Sequence, residues 1–127
     1  MVSSTSYFTA STYCRYRYDS EAFIFSLLNE PGWAPVKLNQ SRNSYSVYFC
    51  SLYGPTFGGG HDIYIANNAA YSSSSYSYHY TYGPPSGYGY GYSSFLAGSS
   101  YFTPDEIETF FIAEGEILLP FIYLLIS

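Results

Sequence analysis

The chain has 127 residues, a formal net charge of -5, and 23% aromatic but only 10% charged residues. That length accommodates one small domain, and the aromatic content excludes a charged, aromatic-poor disordered chain. Four basic residues against nine acids leave no clustered positive charge of the kind that grips nucleic acid.

The opening stretch, residues 1–21, is polar and tyrosine-containing, and SYFTASTYCRYRYDS within it reads as an edge strand or as the remnant of a larger N-terminal structure. It lacks the basic start and apolar centre of a secretory signal. The first firm core element is AFIFSLL, residues 22–28, whose length and β-branched and aromatic content predict a buried strand over a short buried helix. NEPGW then supplies turn chemistry through Pro31 and Gly32. Trp33 either covers the core beside that turn or meets a ligand.

SYSVYFC, residues 44–50, predicts the next strand, with Tyr45, Val47 and Phe49 on one face. Gly54-Pro55 reads as a turn, and Gly58, Gly59 and Gly60 permit backbone geometries that larger residues resist. DIYIA, residues 62–66, resumes the strand period with Ile63 and Ile65 opposite Tyr64. Residues 67–92 have little apolar content beyond aromatics and read as a long tyrosine- and serine-rich loop, which covers a site, binds or moves. FTPDEIETFFI, residues 102–112, predicts a turn at 103–105 followed by a strand. The apolar run 117–126 contains Pro120 and is too short for a membrane-spanning helix. It is expected to cover part of the core or to drive self-association.

Candidate chemistry is thin. FGGGH invites a phosphate-cradle reading, but GxGxxG and GK[ST] are both absent, so a structural glycine turn is preferred. His61 with Asp62, and His79 in the long loop, are the residues on which a small hydrolase-like enzyme would be built with nearby acids and hydroxyls. No GxSxG elbow accompanies them, and their spacing matches no zinc motif. No catalytic residue, metal or cofactor is therefore assigned. Asp105, Glu106 and Glu108 read as a solvated acidic edge rather than a glycosidase pair. The thiols Cys14 and Cys50 have no CxxC spacing. Cys50 is expected as a packed core thiol, with a single bridge as the alternative. Every Lys and Arg precedes His61, while Asp62, Asp105, Glu106, Glu108, Glu114 and Glu116 follow it, so a partner of the second half would be basic or neutral. Tyrosines offer amphipathic contact surfaces at modest entropic cost, which favours protein recognition.

AFIFSLLN, YGPTFGGGHDIYIANN, SSSYSYHYTYGPPSGY and FLAGSSYFTPDEIETFF occur in this order, and together they resemble the central and C-terminal part of a TLDc domain over residues 18–112. The resemblance implies a mainly β or α+β, β-sandwich-like fold. It places Phe23, Phe25 and Leu27 in the core, Gly58, Gly59, Gly60, Ile63 and Ile65 in the glycine-rich motif, and Glu108 in the terminal motif. Residues 22–112 would form the TLDc-like core, 1–21 a short approach that leaves the domain incomplete at its N-terminal side, and 113–127 an added apolar tail. It further implies a noncatalytic protein-interaction module, intracellular and cytoplasmic, associated with oxidative-stress protection. The vacuolar proton-pumping ATPase (V-ATPase) is one partner it brings with it.

Overall fold

The computed structural model describes residues 2–3, 14–29, 31–41, 45–88, 94–114 and 117–126, with side chains between 14 and 107. These residues form antiparallel sheets, and their only helical element is a single 3-10 turn, Ala69–Tyr71. The fold is thus mainly β, and the α+β alternative finds no α-helix among the described residues.

One sheet has three strands: β1 (Val2–Ser3), β3 (Phe23–Ser26) and β4 (Val36–Asn39), with β3 in the middle. The other has six: β2 (Arg15–Arg17), β5 (Val47–Phe49), β6 (Thr56–Phe57), β7 (Ile63–Tyr64), β8 (Ser75–Ser77) and β9 (Tyr101–Phe102), in that order. β2, inside the segment expected to hold an edge strand, lies at one edge of this sheet. Ile24 and Leu38, directly opposed in the smaller sheet, share one core with Val47, Phe49, Phe57 and Ile63 of the larger. Removing these side chains from water is the main favourable term holding the two layers together.

The burial phase of β3 differs from expectation. Ala22, Ile24 and Ser26 are buried, whereas Phe23 and Phe25 are half-buried and Leu27 is exposed. AFIFSLL is apolar on both faces, so alternation alone does not choose between them, and a one-residue change of phase exchanges every side chain. Pairing decides the matter, because Ile24 faces Leu38 across the ladder. Phe23 and Phe25 stack on the outer side, with the Lys37 ammonium 4.1 Å from the centre of the Phe23 ring. The buried Ser26 hydroxyl donates to the Leu28 carbonyl at 2.7 Å, which keeps it satisfied on the inner face. In the next strand Val47 and Phe49 point inward, but Tyr45 lies before β5 and is 46% exposed.

Of the loop expected over residues 67–92, residues 67–88 are not structureless, and 89–92 lie outside the described residues. Residues 67–88 contain the 3-10 turn, strand β8 and the buried side chains of His79, Thr81 and Tyr82. Tyr82 bridges to Gln40, and its hydroxyl donates to the Ser46 carbonyl at 2.9 Å. A phenol was available to fill the core where aliphatic residues are scarce, because its one polar atom finds an acceptor.

The end of the chain forms a hairpin of β10 (Ile107–Glu114) and β11 (Ile117–Ile126), and β11 also lies against β1. The apolar tail is thus paired as a strand. Its register shifts between Phe110 and Ile112, opposite the stretch holding Pro120. Proline has no N–H to give the ladder, which accounts for the break there.

Cys14 and Cys50 are joined by a disulfide that ties the start of β2 to the end of β5. This corrects the expectation of a core thiol: Cys50 is half-buried and Cys14 exposed. The pairing was hidden because only the register Arg15↔Phe49 brings the two cysteines side by side. With a sequence separation of 36, the bridge should contribute up to about 3–4 kcal/mol by restricting the unfolded chain. Urea unfolding with and without reductant should show a loss approaching that size, reproduced by a Cys14→Ala, Cys50→Ala double variant.

Candidate functional site

The glycine-rich turn is where the sequence concentrates its unusual backbone. Gly58 has φ +86° and His61 φ +57°, and the His61 N–H donates to the Gly58 carbonyl at 3.1 Å. A Cβ on Gly58 would stand 2.6 Å from Cγ and 2.9 Å from Cβ of Asp62, so both conformation and space demand glycine. Gly54 is required for another reason: its Cβ would meet the Ile65 carbonyl oxygen at 2.6 Å.

Asp62 is fully buried at the end of this turn. Its carboxylate accepts the backbone N–H groups of Tyr80 at 2.7 Å, Thr81 at 2.9 and 3.0 Å, and Tyr82 at 2.9 Å. Burial pushes its pKa up, and those backbone donors oppose the rise. Gly59 adds a second tie, donating its N–H to the Thr81 hydroxyl at 2.7 Å. The Gly58 N–H donates to the Ser46 carbonyl at 2.9 Å. These turn amides are therefore spent on the fold, and the phosphate-cradle reading falls away. The Gly58, Gly59 and His61 N–H groups go to Ser46, Thr81 and Gly58, while the Asp62 carboxylate takes the amides of residues 80–82 instead.

His61 points to the opposite side. It lies among the rings of Tyr16, Tyr48, Tyr53 and Tyr64, with Tyr48 closest at 5.0 Å between centroids. Its Nδ1 is 3.1 Å from the Tyr76 hydroxyl. Burial holds its pKa below the ordinary imidazole value. Asp62, though adjacent in sequence, does not orient it. His79 lies elsewhere, buried and 6.1 Å from the Phe95 ring, with Nδ1 unpaired among the described residues. Burial lowers its pKa as well. Neither imidazole has a carboxylate partner among the described residues, and no group of three metal-ligating side chains converges there.

The feature that sequence reasoning missed is a row of tyrosines across the outer face of the six-stranded sheet. Register places Tyr16 opposite Tyr48, Tyr48 opposite Thr56, Thr56 opposite Tyr64, Tyr64 opposite Tyr76, and Tyr76 opposite Tyr101. Where Thr56 interrupts the row, Tyr53 bridges, 5.7 Å from Tyr48 and 5.0 Å from Tyr64. The available signal was one tyrosine at the non-core phase of each of RYR, VYF, IY, SYS and YF. Only the registers reveal that these phases line up. Of the other motif residues, Ile63 and Ile65 are buried, and Glu108 lies in β10 opposite Leu125.

A family model described as the TLDc domain matches residues 5–113. The chain belongs to the TLDc family. The match begins upstream of residue 18, where the motif resemblance starts, and so takes in β2 and the disulfide. Neither a curated protein nor a solved structure matches the chain.

In this TLDc domain Gly58→Ala should destabilise by about 1–3 kcal/mol through strain and its clash with Asp62. Gly60→Ala, whose Cβ would lie 3.2 Å from the exposed Tyr80 side chain, should cost less. Thermal melts of the two variants check the order. The buried imidazole of His79 gives a pH dependence. Its folded pKa is depressed, so the unfolded chain takes up a proton first on acidification. Stability should fall as pH drops below about 6.5 and level off once pH passes the depressed folded value. Denaturation series should show this slope reduced in His79→Gln, leaving the part owed to His61.

Proposed function

We propose that this TLDc domain is a noncatalytic protein-interaction module that works in oxidative-stress protection, with the V-ATPase as its partner. Family membership supports the class of function. The observation that carries the contact surface is the tyrosine row, whose end member Tyr101 is 66% exposed and whose Tyr16 ring lies 4.6 Å from that of Tyr45, itself 46% exposed. Aromatic rings with hydroxyls at their rims suit a partner surface that is part apolar and part hydrogen-bonding. The hydrolase-like alternative draws no support from the geometry around either histidine. No helix among the described residues is long and apolar enough to cross a membrane. In this proposal the domain sits in the cytoplasm, where the Cys14–Cys50 bond would form under oxidation.

Binding of the intact chain to the purified peripheral sector of the pump, followed by interferometry, tests this. We expect measurable affinity, and a loss of about tenfold in Tyr101→Ala, the scale of truncating an aromatic anchor. No binding by the wild type removes the pump as partner. Unchanged binding by Tyr101→Ala removes the tyrosine row as the contact.

A further inference from the structure

The tyrosine row is continuous in a second sense. From Tyr45 the centroid separations run 4.6 Å to Tyr16, 4.7 Å to Tyr48, 5.7 Å to Tyr53, 5.0 Å to Tyr64, 5.2 Å to Tyr76 and 5.8 Å to Tyr101. Rings this close exchange an electron hole readily. Phenols are oxidisable at neutral pH only if the phenolic proton has somewhere to go, since a protonated phenol radical is a strong acid. One member has a base in place: the Tyr76 hydroxyl lies 3.1 Å from His61 Nδ1.

We propose that Tyr76 and His61 form a redox-active pair, and that the tyrosine row carries the resulting hole to the exposed rings at its ends. The co-reactant is a one-electron oxidant of the peroxyl-radical class. One electron leaves the Tyr76 phenol and reduces the peroxyl radical to the hydroperoxide anion. The phenolic proton crosses the hydrogen bond to Nδ1, leaving a neutral phenoxyl radical and an imidazolium. The imidazolium then returns its proton through solvent to the hydroperoxide anion, so that the balance is peroxyl radical plus tyrosine giving hydroperoxide plus tyrosyl radical. At each step along the row one electron passes from a neighbouring phenol to the phenoxyl radical, the newly oxidised phenol releasing its proton to solvent and the reduced phenolate taking one from solvent, until the radical sits on Tyr101 or Tyr45. There two copies couple through a carbon–carbon bond to dityrosine and lose no further electrons.

The resting state suits this chemistry. Burial lowers the His61 pKa, so the imidazole is neutral at pH 7 and able to accept, and burial raises the Tyr76 pKa, so the phenol holds its proton until it is oxidised. The titratable groups facing His61 are Tyr16, Tyr48, Tyr53, Tyr64 and Tyr76, with no carboxylate or cationic side chain among these ring and hydrogen-bond contacts. The His61 ring lies among the row's tyrosines, while the Asp62 carboxylate meets the 80–82 main chain. This inference goes beyond the partner-binding reading and does not rest on it; oxidation and binding are read on separate observables.

The test is flash-generated tris(bipyridine)ruthenium(III) as oxidant, in a weakly basic buffer, on the intact disulfide-bonded chain carrying Trp33→Phe so that indole oxidation does not compete. Phenoxyl absorption is followed in time. The parent should show a fast phase. His61→Asn keeps a residue that tolerates positive φ but has no base. It should slow that phase on the order of a hundredfold, the low end of what a positioned base contributes. Tyr76→Phe keeps the ring and should abolish the phase, whereas Tyr71→Phe, at a residue 95% exposed and outside the row, should leave it unchanged. The rate of the parent should fall as pH drops through the imidazole pKa, because protonated Nδ1 cannot accept. Dityrosine mapped by mass spectrometry should fall on Tyr101 and Tyr45. A fast phase surviving in Tyr76→Phe, a flat pH profile, or cross-links that follow exposure alone and concentrate on Tyr71 each overturn the proposal. Should His61→Asn fail to fold, Tyr76→Phe and the pH profile decide it.

Discussion

A single buried carboxylate organises this domain. Asp62 sits without solvent contact and spends its oxygens on the N–H groups of three successive residues, Tyr80, Thr81 and Tyr82. An isolated carboxylate in such a place would be costly. Charge-assisted bonds from the backbone offset that cost, and they bind two segments nearly twenty residues apart. Once the 80–82 backbone is held there, Tyr82 enters the core and its hydroxyl reaches Ser46. Thr81 in turn receives Gly59, so the glycine turn and the late loop fix each other. A serine- and tyrosine-rich stretch with almost no aliphatic content becomes part of the core because its main chain is gripped, not because its side chains demand burial.

The six-stranded sheet has two faces with different jobs. On the inner face Val47, Phe57, Ile63 and Ser77 follow one another across the strands and close onto Ile24 and Leu38. On the outer face the tyrosines follow in the same way. Cross-strand aromatic pairs each add on the order of 0.2–1 kcal/mol, so the outer row supports the sheet as well as presenting a surface. The strands are very short, some only two residues, and ladder hydrogen bonds alone would hold them weakly. The disulfide across the β2–β5 edge and the ring contacts over the meander compensate on the side away from the core.

Much of the β architecture was legible from residue type and alternation. VYF and IYI announce one apolar and one aromatic face, and FGGGHD announces a turn that only glycine can make. What stayed hidden was whatever depends on pairing. The phase of AFIFSLL is set by Leu38 opposite Ile24, and neither strand states this alone. Cys14 and Cys50 meet because Arg15 faces Phe49. The tyrosine row exists only through the registers of five strand pairs. The late loop looked unstructured because composition measures side chains, whereas its order comes from main-chain donors and one remote acceptor. At the site, the neighbours His61 and Asp62 invited a paired reading that the backbone forbids.

That last point explains why the turn can serve two environments at once. In an extended strand, successive side chains already point to opposite faces. His61 takes the left-handed conformation just before β7, with the Asp62 carboxylate bound to the 80–82 main chain and the His61 ring among the tyrosines. The negative charge is thereby confined to a nest of backbone dipoles that satisfies it. The imidazole is left among tyrosine rings, where burial draws its pKa down. Were the carboxylate to face His61 instead, it would favour the imidazolium and occupy the nitrogen that now meets Tyr76. The separation of these two neighbours gives the inner side its anchor and leaves the outer side a neutral base at the centre of an aromatic surface.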